Sequence, residues 1–104
     1  MDKKQLIMDY WKDVAEQNAN RLKGYFTPSA LVMWHNTNEC FTVDEFITAN
    51  CEYPGSWRGE VERIETAGDT IITATRVWSA EDGSSFHALS FFEFENDKVR
   101  LLNE

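Results

Sequence analysis

The second half of the chain constrains the fold most. From Trp57 to Glu104 it reads as four strand-forming runs with no helical pattern between them. The runs cover residues 57–66, 70–79, 86–95 and 99–104, separated by Ala67-Gly68-Asp69, Asp82-Gly83 and Asn96-Asp97. They are rich in β-branched and aromatic residues, which suit a pleated, half-buried surface. Strands joined by turns this short pair antiparallel. The first half differs. Leu6, Ile7, Tyr10, Trp11, Val14 and Ala15 recur at three- and four-residue spacing, predicting one helix over residues 3–22, with Gly24 as its stop signal. A strand over 30–36, a turn at Thr37-Asn38 and a short strand over 39–41 follow. Thr42-Val43-Asp44-Glu45 is a capping box. It opens a second helix that carries Val43, Phe46, Ile47 and Asn50 inward and ends near Tyr53, before Pro54-Gly55. The order is helix, hairpin, helix, then a meander. That order predicts an α+β domain over residues 1–104, with helices on one face of a curved antiparallel sheet. Such a sheet, closing over its helices, makes a cone-shaped roll with a hollow.

Asp82-Gly83 predicts a two-residue hairpin loop. Counting outward, Trp78 opposes His87, Arg76 opposes Leu89 and Ala74 opposes Phe91 on one face. Val77 opposes Ala88, Thr75 opposes Ser90 and Thr73 opposes Phe92 on the other. The second face carries small residues, which leaves room for a cavity. Both faces carry apolar residues, so two coverings are expected: the chain's own helices and a second copy of the chain, giving a homodimer.

Composition excludes several functions. Of the 104 residues 18 are acidic and 10 basic, for a formal charge of −8, which repels nucleic-acid phosphates and anionic lipid. No apolar run of membrane-spanning length occurs. Cys40 and Cys51 lack a paired spacing and read as reduced, buried thiols of a cytoplasmic protein. No nucleophile elbow, phosphate loop or dinucleotide fingerprint is present, and no cofactor is expected. His35, Glu39, Cys40 and His87 are ligand types without metal-binding offsets.

The order of elements, together with particular segments, resembles the SnoaL-like family of the nuclear transport factor 2-like superfamily. The segments are Tyr10-Trp11, Tyr25-Phe26-Thr27-Pro28-Ser29-Ala30-Leu31-Val32, Trp34-His35-Asn36-Thr37-Asn38-Glu39 and the capped helix from Thr42. They continue with Tyr53-Pro54-Gly55 and Trp57, then Phe92, Phe94 and Asn96-Asp97-Lys98-Val99. The resemblance implies the cone-shaped roll. It also implies a last strand that runs on past Glu104, leaving one pocket wall incomplete here. Among its relatives, ketosteroid isomerases use a tyrosine, a carboxylate base and a neutral carboxylic acid. Laid on this chain, those positions read Tyr10, Trp34 and, near the third, Ser90. Tyr10 keeps the oxyanion donor. Trp34 cannot take a proton from carbon, and Ser90 is a weaker donor than an acid, so that isomerisation is not expected.

The candidate pocket is then Tyr10, Trp34, Asn36, Asn50, Tyr53, Trp57, Thr75, Ser90 and Phe92. Aromatic walls with few polar groups favour a small hydrophobic or cyclic organic ligand. Two readings of Tyr10 stand side by side: a pocket-lining hydroxyl, or a core phenol satisfied by Asn50. As an isomerase-, cyclase- or hydrolase-like enzyme the chain would use Tyr10 as oxyanion donor and a histidine or carboxylate as base, His87 if the strand register is slipped by one. The other alternative is a non-catalytic dimeric interaction module. With the register above, His87 and His35 both face away from the hollow. Arg76 and Arg58 are candidate carboxylate holders, and Glu60, Asp69 and Glu104 are expected in solvent.

Overall fold

The computed structural model describes residues 2–104. Helix α1 spans Lys3–Ala15, and the Asp2 carboxylate caps it by accepting from the Lys4 and Gln5 amides. The expected single helix over 3–22 is broken. Gln17 has a left-handed φ of 55°, and a short helix α2 (Ala19–Leu22) and a 3₁₀ turn (Lys23–Tyr25) follow. A left-handed conformation is costly for a residue with a Cβ. Here the break lets the Gln17 amide donate to the carbonyls of Asn50 (2.9 Å) and Tyr53 (2.8 Å), so the turn ties the two helical regions together. Gly24 therefore lies inside the 3₁₀ turn, not at a helix end.

Strand β1 (Phe26–Trp34) begins earlier than expected. Pro28 is tolerated because it lies where the pairing of this strand is irregular, between Phe26 and Leu31. Strand β2 (Glu39–Thr42) leads into helix α3 (Val43–Cys51), whose capping box forms as expected. The Thr42 hydroxyl accepts from the Glu45 amide at 3.3 Å, and the Glu45 carboxylate accepts from the Thr42 amide at 2.9 Å. The meander is β3 (Trp57–Ala67), β4 (Thr70–Ser79), β5 (Ser85–Glu95) and β6 (Lys98–Asn103). All six strands form one sheet in the order β2-β1-β6-β5-β4-β3. The sheet is mixed, since β1 and β6 run parallel. Turn chemistry fixes direction only between strands adjacent in sequence, and most of the chain lies between β1 and β6.

The β4–β5 connection corrects the expected hairpin. The loop covers residues 80–84, not two residues. The Ser79 hydroxyl accepts from the Glu81 and Asp82 amides, and the Asp82 carboxylate accepts from the Ser84 amide and hydroxyl. These local side-chain bonds favour a wider loop over a tight primed turn. Trp78 therefore pairs with Ser85, Arg76 with His87, Ala74 with Leu89, Val77 with Phe86, Thr75 with Ala88 and Thr73 with Ser90. Each pairing is two residues from the expected one. A shift of two preserves side-chain parity, so the expected division into inner and outer faces survives.

The helices lie against the inner face. Ile7, Tyr10, Trp11, Leu22, Phe26, Val32, Phe46, Phe92, Val99 and Leu102 form the core. Each large apolar side chain buried there contributes roughly 1.5–3 kcal/mol. Tyr10 sits among four rings in edge-on contact, with centroids at 5.4 Å (Trp11), 5.8 Å (Tyr25), 6.0 Å (Phe26) and 5.3 Å (Phe92). The Trp11 indole N–H donates to the Thr73 hydroxyl at 3.1 Å. Leu31, Leu89 and Phe91 stay exposed on the outer face. Cys40 is exposed and Cys51 half-buried, against the expectation that both are buried; Cys40 lies on β2, which pairs on one side only. Among the described residues, no helix is long and apolar enough to cross a membrane.

Candidate functional site

Three strands bring three side chains into one row. The parallel ladder sets Met33 opposite Asn103, and the antiparallel ladder sets Phe91 opposite Asn103. One residue further along, Trp34, Glu104 and Ser90 share the inner face. The backbone holds this row in register: the Glu104 amide donates to the Met33 carbonyl (2.8 Å), and the His35 amide donates to the Glu104 carbonyl (2.7 Å). The Ser90 hydroxyl donates to one oxygen of the Glu104 carboxylate at 2.7 Å. The Trp34 indole N–H donates to the other at 3.1 Å.

Glu104 is thus half-buried in the hollow, not solvated as expected, because alternation along β6 places it on the side of Leu102. Glu60 and Asp69 are exposed. Burial raises the pKa of the Glu104 carboxyl, and the bonds from Ser90 and Trp34 oppose that rise without cancelling it. The Tyr10 phenol is held well above its usual pKa, first by burial and then by the negative charge of Glu104. Sequence reasoning missed Glu104. The signal that finds it is the i, i+2 relation to Leu102 in the last strand.

The hollow has a volume of about 790 Å³. Of the residues expected to line it, Tyr10, Trp34, Asn36, Asn50, Tyr53 and Trp57 do so. Thr75, Ser90 and Phe92 do not. All three are fully buried behind its wall, and Ser90 reaches the hollow only through Glu104. Phe92 is spent on packing against Tyr10. The Thr75 hydroxyl is buried with no hydrogen-bond partner. The expected Tyr10–Asn50 pair does not form. The Asn50 amide donates instead to the Val14 carbonyl at 3.2 Å, which also accepts from the Gln17 backbone amide at 3.1 Å.

Residues 34–37 and 86–89 also line the hollow, and the exposure of His35 and His87 among them puts these segments at its rim. His35 meets the Asn103 side-chain oxygen at 2.8 Å. His87 meets Glu62 at 2.7 Å and keeps 60% of its side chain exposed, so its ring belongs to the outer face and the rim. The expected carboxylate holders are placed elsewhere. Arg76 stacks on Trp78 at 4.5 Å, and Arg58 donates to the Trp57 carbonyl and the Ser56 hydroxyl. No lysine or arginine is among the lining residues. Among the described residues, no group of three His, Cys, Asp or Glu side chains is placed to hold a metal ion.

No family model and no curated protein matches this sequence. Solved structures do match. A candidate ketosteroid isomerase from Kribbella flavida superposes with a TM-score of 0.85 at 17% identity, over 97% of this chain and 74% of that one. A nuclear transport factor 2-like protein of unknown function from Burkholderia xenovorans gives 0.83 at 19%, over 97% and 79%. A candidate SnoaL-like polyketide cyclase from Jannaschia gives 0.78 at 14%, over 97% and 82%. The chain therefore has the α+β roll of the nuclear transport factor 2-like and ketosteroid isomerase-like proteins, and the resemblance read from its residues holds at the level of fold.

Proposed function

We propose that this chain binds a small, largely apolar organic molecule in the hollow of the roll. The carrying observation is the hollow itself: about 790 Å³, walled by Tyr10, Trp34, Phe46 and Trp57, with one carboxylate among its lining residues. That volume falls within the range of small-molecule pockets, roughly 300–1,000 Å³, and sparse polar groups in an aromatic cavity orient a ligand more than they select a charged surface.

A second reading is proton-transfer catalysis, favoured by Glu104. It would supply the base that the isomerase positions lack, and Tyr10 lines the same hollow. The fold is shared with candidate isomerase and cyclase proteins, which lends this reading its reaction class. Glu104 would take the proton and Tyr10 would donate to the developing oxyanion. We further propose that two copies pair through the outer sheet face, where Leu31, Leu89 and Phe91 are exposed.

Native mass spectrometry with a Nile red titration tests these readings together. The expected result is a species of twice 12.1 kDa, with saturable uptake of one dye per chain. A monomer overturns the pairing. Absence of saturable dye uptake overturns the ligand-binding reading.

A further inference from the structure

We infer that the ligand of this hollow is an organic cation, an aromatic or alicyclic amine whose ammonium group pairs with Glu104. The inference rests on the ligand-binding reading above and names its ligand class. Glu104 is the one carboxylate among the lining residues, and no lysine or arginine lies there to balance it. The two groups that could carry positive charge are His35 and His87. Both are at the rim and already engaged, by Asn103 and by Glu62.

The carboxylate's own partners are neutral. Ser90 bonds one oxygen and Trp34 the other, so each oxygen keeps a lone pair for a further donor. These two donors favour the ionised form without outweighing burial, and neither supplies a counter-charge. A carboxylate withdrawn from water without a counter-charge is costly, and an entering ammonium group removes that cost. The walls are suited to the same guest. Tyr10, Trp34, Phe46 and Trp57 line the hollow, and Trp34 stands edge-on to Phe46 with centroids at 6.4 Å. The faces of such rings attract cations. The net charge of −8 raises the local concentration of cations and lowers that of anions. A carboxylate ligand would meet Glu104 with like charge. A neutral alcohol would find a hydrogen bond but leave the charge unbalanced.

The test is calorimetric titration of the full chain at neutral pH with three probes of one shape: 2-naphthylmethylammonium, 2-naphthylmethanol and 2-naphthoate. The ammonium is expected to bind at least about tenfold more tightly than the alcohol, and the naphthoate most weakly. In Glu104→Gln the ammonium should fall to the affinity of the alcohol, while the alcohol changes little. Equal binding of ammonium and alcohol to the unsubstituted chain overturns the cation inference and leaves the ligand-binding reading standing. Tightest binding by the naphthoate overturns it too. Absence of saturable binding by all three overturns both. The contrast between ammonium and alcohol on the unsubstituted chain decides the matter even where the variant fails to fold.

Discussion

Asp13 and Glu104 are both carboxylates drawn out of water, and each is met by uncharged donors. Asp13, near the end of α1, is only 3% exposed and accepts from the Tyr25 hydroxyl. Glu104 accepts from Ser90 and Trp34. The surroundings differ. Asp13 lies against packed chain, where its bond ties α1 to the 3₁₀ turn ahead of β1. Glu104 opens onto a hollow of about 790 Å³. The same chemistry is a structural tie in one place and a candidate site in the other. Burial of a charge does not mark a site by itself; free space beside it does.

That contrast breaks most visibly at Tyr25. Tyr25→Phe removes one hydroxyl and strands the buried Asp13 carboxylate. The expected loss is about 2 kcal/mol, by the usual worth of a hydrogen bond to a charged group. Chemical denaturation measures it, and Nile red uptake should not change. Uptake lost along with stability would mean that the Asp13 region also shapes the hollow.

Glu104→Gln should act with a different sign and a pH dependence. Burial raises the carboxyl pKa of Glu104, so the folded chain holds this proton more tightly than the unfolded chain. Its contribution is full below the ordinary carboxylate range and is lost as pH rises through the raised value. The amide cannot ionise and escapes that loss. The melting temperature of Glu104→Gln relative to the parent should therefore climb as pH rises from the ordinary carboxylate range through the raised value. A difference that stays flat over that range would place Glu104 in ordinary solvent contact and erase the contrast with an exposed glutamate.

The smallest effect belongs to two neighbouring threonines of β4. Thr73 accepts from Trp11, whereas the Thr75 hydroxyl is buried without a partner. Thr75→Val should stabilise by up to about 1 kcal/mol, since it removes an unsatisfied polar group at nearly constant shape. A lower melting temperature would reveal a partner for that hydroxyl, such as a bound water.

Much of the fold was legible in the residues. The capping box at Thr42 and Glu45 appears where its spacing places it. The strand β4 has its expected bounds, and the other meander strands lie within two residues of theirs. The inner and outer faces of β4 and β5 were assigned correctly although the register was two residues off, because parity survives an even shift. The candidate site was legible in part. Tyr10, Trp34 and Trp57 carry local signals, an apolar helical stripe and strand alternation, and they line the hollow. Thr75, Ser90 and Phe92 also face inward, but facing inward does not separate a lining residue from one packed behind it. That distinction depends on where the helices stop, and α1 stops at Ala15, with Gln17 beyond it donating to carbonyls on and after α3.

What the sequence by itself determined is local: which segments curl, which extend, where they turn, and which side chains share a face. Those properties follow from caps, turns and periods that span only a few residues. What only the tertiary structure decided is the meeting of Trp34, Ser90 and Glu104, and with it the nature of the hollow. Their strands are neighbours in the sheet, yet β1 and β6 lie at opposite ends of the chain and run parallel, which no turn between them dictates. An acidic residue beside an Asn near the end of a strand reads locally as a solvated group. Only a serine from one strand and a tryptophan from another turn it into the one acid lining an aromatic cavity.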